Sequence, residues 1–317
     1  METSKTKRVL WKVLEIREVG AVLPLLIAVL LFTFKSDRFL TWDNMINVLR
    51  IASFTMICAI GEGYLLISGS WDISIGAVYS LGGVIAGLAM TSLGLPIWLS
   101  IILALVAGAI IGLINAFLVQ KLDMPAFVAT VGTQFIAKGL VQGITKGTPV
   151  YPLPDKFLGV GQTNLEIGSL GIPWVLVIAI VLSVIAGLIL KYTTYGRKIY
   201  AVGGNGEAAR LAGIPTTKIR FSAFILCGIL AALTGVLMAS RLGSAQANIG
   251  NGFEMIVIAG AVIGGISMNG GAGSIFGMAL GSFFMAMITN GMTLIKISAT
   301  WQTLVTGAIL ILACSLE

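Results

Sequence analysis

Residues 197–213, RKIYAVGGNGEAARLAG, admit two incompatible folds. A short apolar run, IYAV, leads into Gly204-x-Gly206-x-x-Ala209 and then into good helix formers, the arrangement that seats a dinucleotide pyrophosphate on a helix N-terminus. That fold needs further strands and an acidic residue about 20 positions on. Here no Asp or Glu occurs between Glu207 and Glu254, and an apolar span resumes at Phe221. What remains is a polar loop, residues 191–220, holding one short helix from about Glu207 to Ala212 that Gly213 and Pro215 stop.

Composition decides the same way. Of 317 residues 57% are hydrophobic and 10% charged, with a mean hydropathy of +1.00, whereas soluble domains carry about 25% charge. The formal charge of +7 does not point to nucleic acid, because no basic run is interleaved with aromatics. Histidine is absent, which removes the commonest general base, His metal sites and Ser-His or Cys-His nucleophile pairs. No metal and no cofactor is expected. Cys58, Cys227 and Cys314 lie in separate apolar stretches without C-x-x-C spacing and read as buried free thiols.

A bilayer core needs roughly 20 apolar residues per spanning helix, fewer for broken ones. Ten segments qualify, near Val19–Phe34, Ile46–Ser68, Ala77–Leu93, Pro96–Val119, Met124–Ile144, Trp174–Leu190, Phe221–Ser240, Glu254–Met268, Ile275–Gly291 and Trp301–Cys314. Lys5, Lys7, Arg8, Lys12 and Arg17 precede the first, and Lys191, Arg197, Lys198, Arg210, Lys218 and Arg220 crowd residues 191–220. The positive-inside rule puts both groups in the cytoplasm, and the six intervening spans agree with that parity. No small-residue cleavage site follows the first apolar run, so that span is expected to be retained. The expectation is an all-α polytopic transmembrane bundle of about ten spans, one domain over residues 1–317, with N- and C-termini cytoplasmic and the loop 147–173 outside. Small-x-x-x-small pairs, Gly83/Gly87, Gly108/Gly112, Gly260/Gly264 and Gly277/Gly281, suit close packing in lipid.

Glu207-Ala208-Ala209, followed by Gly213, resembles the EAA-x-x-x-G loop of bacterial ABC importer permeases, whose short helix docks in a cleft of an ATPase subunit. The stretches YGRKIYAVGGNGEAARLAGI and SRLGSAQANIGNGFEMIVIAGAVIGGISMNGGAGSIFG resemble the ribose and related monosaccharide, autoinducer-2-like permeases of the branched-chain type, from about Leu65 to the C-terminus. The resemblance implies coupling to the ATPase through Glu207, Ala208, Ala209, Arg210 and Gly213. It implies a second permease subunit, ATPase subunits, a periplasmic or lipoprotein sugar-binding protein, and the bacterial inner membrane. The chain has no G-x-x-x-x-G-K-[ST] loop, so a partner must hydrolyse the ATP.

Pathway candidates are polar residues at costly positions. Asp72, in SGSWDISIGA, interrupts two apolar runs and reads either as the N-cap of a half-helix or as a pathway contact; Trp71 departs from the G-I-D-L-S-x-G stretch usual in the resembled family. ISMNGGAGSIFG, carrying Asn269, is a second interruption, on the same side by span count. Glu62 falls mid-span, where the family usually has small or apolar residues, and would accept bonds from sugar hydroxyls or pair with Lys138. Glu254 lies after the polar loop SRLGSAQANIGNG, and with Gln246 and Asn248 either lines an outer mouth or serves as a first-turn acid of its own helix. Two other classes stay open: a secondary transporter or channel, for which Glu62 with Lys138 is the one suggestive pair, and an intramembrane enzyme, against which Asp72 lacks a paired aspartate.

Overall fold

A computed structural model describes residues 19–167 and 170–315. The cations Lys5, Lys7, Arg8, Lys12 and Arg17, and the last two residues, lie outside the described residues. In chain order the elements are α1 (Val19–Lys35), α2 (Trp42–Ile67), α3 (Ile75–Thr91), α4 (Ile97–Lys121), α5 (Ala126–Thr145), α6 (Asp155–Gln162), β1 (Asn164–Ile167), β2 (Leu170–Pro173), α7 (Trp174–Tyr192), α8 (Thr194–Gly204), α9 (Gly206–Leu211), α10 (Thr216–Leu242), α11 (Phe253–Ile263), α12 (Ile275–Leu294) and α13 (Ala299–Ser315).

Each of the ten expected apolar segments contains a helix. Five of these helices, α2, α4, α7, α10 and α12, are long and apolar enough to cross a bilayer. α3, α11, α13 and the Leu25–Lys35 part of α1 are apolar but shorter, and α5 carries polar side chains at Gln134, Lys138 and Gln142. The all-α expectation needs one correction. Between α5 and α7 the chain forms α6 and an antiparallel hairpin, in which Asn164 pairs with Pro173 and Leu165 with Ile172. The loop 191–220 holds two helices rather than one, because Thr193 caps α8 by accepting from the Gly196 N–H at 3.1 Å, and Ile199 and Val202 turn inward.

α10 is the central element, packed on α4, α3 and α2. The contacts are backbone to backbone. A Cβ on Gly108 would strike the Gly228 carbonyl oxygen, and one on Gly228 would strike that of Gly108. Gly112 meets the Phe224 carbonyl, and Gly83 meets that of Gly235. The two glycine pairs anticipated near the C-terminus turn out to be partners, since Gly260 packs on Gly281 and Gly264 on Gly277, which sets α11 antiparallel to α12. In lipid, where water does not drive helices together, such approach gains van der Waals contact. α4 and α7, by contrast, leave Ile110, Leu113, Val181 and Leu188 exposed, the faces lipid would cover.

α3 and α11 begin inside the bundle. After α2 the chain turns at Gly69, where φ is +78°. The Ser70 N–H then donates to the Leu65 carbonyl at 3.1 Å and the Asp72 N–H to Glu62 Oε1 at 3.1 Å, so this segment runs back along the last turns of α2. From the other direction, the loop before α11 brings the Gly250 N–H to Ser80 Oγ at 3.0 Å, and Phe253 stacks on Tyr79 at 4.6 Å. These re-entrant starts explain why α3 has 17 residues and α11 only 11.

A glycine seam joins the two interrupted segments to α8. The Gly271 N–H donates to the Ile67 carbonyl at 2.8 Å. A Cβ on Gly203 would collide with that same carbonyl, and one on Gly270 would lie 2.9 Å from the Gly69 Cα. Tyr200 OH donates to the Gly273 carbonyl at 2.8 Å, and Arg220 Nε to that of Ser68 at 3.1 Å. Of the thiols, Cys58 and Cys227 are buried, whereas Cys314 is only half-buried, because α13 packs at the edge of the bundle.

Candidate functional site

Three groups of residues carry the chemistry. The first is a buried polar cluster at the start of α3. Asp72 is not the N-cap; Ser74 holds that place, without a capping bond of its own. Asp72 instead accepts from the Ser74 N–H at 2.8 Å and Ser74 Oγ at 2.6 Å through one oxygen, and from Asn115 Nδ2 at 3.0 Å through the other. Asn115 Oδ1 in turn accepts from Thr133 Oγ1 at 2.6 Å. One aspartate therefore ties α3 to α4 and α5.

Glu62, fully buried, accepts from the Asp72 N–H and from Cys227 Sγ at 3.4 Å. Its bonds do not go to Lys138, which makes no ion pair among the described residues. Asn115, Thr133 and Cys227 were not among the sequence candidates. Their signal is a polar side chain inside an apolar run, and Asn115 in IIGLINAFLV shows it plainly.

Truncation at this cluster has a calculable cost. Asp72→Ala leaves the Ser74 and Asn115 donors without their acceptor at buried positions, and each buried orphan costs about 1–3 kcal/mol. We expect the variant to lose about 2–4 kcal/mol in thermal unfolding of the detergent-solubilised chain, and Asp72→Asn, which keeps an acceptor, to lose less.

The second group surrounds Glu254 in the first turn of α11, where the helix N-terminus favours an anion. Gln134 Nε2 of α5 donates to its Oε1 at 3.0 Å, while Oε2 is buried without a hydrogen-bond partner, against Gly76 of α3. Two turns along α5, Gln142 Nε2 donates to Asn248 Oδ1 at 3.0 Å. Gln246 is exposed, contacts Ser244 Oγ at 3.5 Å and borders a small cavity with Ser80 and Gly235. The structure thus brings Glu62 to Asp72, and Asn248 and Glu254 to α5. Asn269 stands apart, exposed beside the glycine seam, its N–H donating to Ser267 Oγ at 3.2 Å.

The third group is α9. Asn205 caps it by accepting from the Ala208 N–H at 2.9 Å, and Gly213, with φ +80°, ends it. Glu207, Ala208, Arg210 and Leu211 are exposed, and Ala209 alone is buried. Arg210 Nη2 meets Glu207 Oε1 at 2.7 Å, the one ion pair among the described residues. The hydrogen bond from Arg210, and then its charge, hold the Glu207 carboxyl below its ordinary range. The result is a short, capped, charged knob with Leu211 77% exposed at its end.

The family described as branched-chain amino acid transport system / permease component matches residues 44–314. The chain belongs to that family. It is a membrane permease component, not an enzyme. The permease is similar to the xylose transport system permease protein XylH of Escherichia coli (strain K12), 32% identical, with 93% of this chain and 90% of that protein covered. It is 34% identical to the ribose import permease protein RbsC of Haemophilus influenzae, over 93% and 91% of the two chains. It is also 34% identical to the autoinducer 2 import system permease protein LsrC of Photorhabdus luminescens, over 93% and 88%. No solved structure matches the permease.

Proposed function

We propose that the permease is the membrane subunit of an ATP-driven importer for a monosaccharide, a ribose-like pentose, a hexose or a related sugar-like signal, in a bacterial inner membrane. The observation that carries this reading is the end-to-end likeness to permeases named for xylose, ribose and autoinducer 2. Ten spans, with both termini and the 191–220 loop in the cytoplasm, follow from the charge bias and span parity. The partners are a second permease subunit, ATPase subunits and an extracytoplasmic sugar-binding protein.

Glu207, Ala208, Ala209, Arg210 and Gly213 engage the ATPase. Nucleotide-driven closure of that partner pulls on α9, and the connected spans tilt around a pathway shared by two permease subunits. Glu62, Asp72, Gln246, Asn248, Glu254 and Asn269 are assigned to this pathway and its supports. Glu62 and Asp72 act from behind its wall, because both are buried and bonded to each other.

The test compares vesicles holding the permease alone with vesicles that also hold its ATPase and binding protein. Uphill accumulation is expected only in the second, with the ATPase co-purifying through α9. Accumulation by the lone chain would replace the reading with a secondary transporter. Uptake of a panel of pentoses, hexoses and sugar-like signals by cells lacking the gene identifies the cargo.

A further inference from the structure

We propose that Lys138 is a substrate-binding residue, and that with Gln134, Glu254, Gln142 and Asn248 it forms a station for the hydroxyl groups of a neutral polyol. This rests on the importer reading above and adds to it the side chain that meets the cargo.

α5 places Gln134, Lys138 and Gln142 at successive four-residue steps, so all three share one face. The outer two are engaged, Gln134 with Glu254 at 3.0 Å and Gln142 with Asn248 at 3.0 Å. Lys138, half-buried between these two bridges, makes no hydrogen bond and no ion pair among the described residues. An ammonium carries three donors and no acceptor. It stands seven residues before the Thr145 end of α5, roughly 10 Å along the helix. At that depth an unpaired charge faces a water-filled path or a bundle interior, and its acceptors come from what occupies that path.

The charges select the ligand. Glu254 and Lys138 are opposite in sign, and Glu254 is bonded to Gln134, one four-residue step from Lys138 on the same face of α5, which disfavours a free cation and a free anion alike. Amides at either side both donate and accept. A neutral solute with adjacent hydroxyls matches these groups, donating hydrogen bonds to the acceptors and accepting them from Lys138. The re-entrant starts of α3 and α11 meet at the same level, Gly76 against Glu254, and paired interrupted helices place transporter sites at such a level.

The experiment uses the whole importer in vesicles, with radiolabelled D-ribose and D-xylose as probes. Lys138→Met is expected to lose at least about tenfold in uptake, the worth of one hydrogen bond to a charged group, while loaded binding protein still stimulates ATP hydrolysis. Lys138→Arg is expected to stay within about threefold. A second variant, Lys138→Cys, is expected to react with a membrane-impermeant thiol reagent and to be protected by high concentrations of the transported sugar. Uptake by Lys138→Met within about twofold of wild type overturns the proposal, as does an introduced thiol in Lys138→Cys that only lipid-soluble reagents reach or that sugar leaves unprotected. If Lys138→Met fails to assemble, the labelling decides. Wild-type vesicles that show no ATP-dependent uptake count against the importer reading, and the labelling still reports on Lys138.

Discussion

With residues 207–213 scrambled, the permease is expected to insert and fold as the wild type does and to lose ATP-driven uptake by about a hundredfold, the upper range for a single coupling free energy. The separation of the two effects follows from burial. α9 has six residues and contributes only Ala209 to the core, so its sequence matters little to the bundle. Among the described residues its outer side chains, Glu207, Arg210 and Leu211, make no hydrogen bond or ion pair beyond the Glu207–Arg210 pair itself. The measurement is uptake against membrane content and detergent melting temperature. Full uptake by the scrambled chain removes α9 from the mechanism, and a collapse in melting temperature removes the claim that α9 is dispensable for folding.

Gly228→Leu is expected to do the opposite, to abolish the folded bundle and every function with it. Gly228 and Gly108 approach so closely that a single Cβ on either overlaps the other's carbonyl oxygen. A leucine must push α10 away from α4, and the same displacement opens the Gly112–Phe224 contact one turn along. Overpacking in a tight core costs about 1–3 kcal/mol where neighbours can yield. Backbone does not yield, so we expect more than about 3 kcal/mol, a large part of a total stability of about 5–15 kcal/mol. Thermal unfolding in detergent checks it. Gly139→Ala and Gly143→Ala serve as controls, because a Cβ at either meets nothing within 4 Å, and each gains up to about 1 kcal/mol of helix propensity.

Hydropathy made the long elements legible. α2, α4, α7, α10 and α12 stand where uninterrupted apolar runs require them, because in lipid only a helix satisfies its own backbone. The charged knob was legible to within a residue at each end, Gly206–Leu211 against an expected Glu207–Ala212, since Gly213 is an unambiguous stop. α8 was hidden by IYAV, which looks extended when read alone. Its true signal is the inward spacing of Gly196, Ile199 and Val202, three residues apart. The Asp72 cluster was only half legible. A polar residue at a break announces a structural duty, but its partners Asn115 and Thr133 come from helices far along the chain, and no local rule reports that meeting. The Glu62–Lys138 pairing failed for the same reason. Each is an intramembrane charge seeking a partner, and only the fold reveals that Glu62 finds the Asp72 backbone while Lys138 stands beside the Gln134–Glu254 bridge.

The seam of Gly203 with Gly69, Gly270 and Gly271 leaves no slack between α8 and the two interrupted segments that precede α3 and α12. Lacking side chains to reorient, these strips of main chain are geared to one another, and a shift of α8 reaches both at once. Any displacement of α8 is therefore felt by the Gly69 turn and the Gly270–Gly271 turn together, because main chain meets main chain at both.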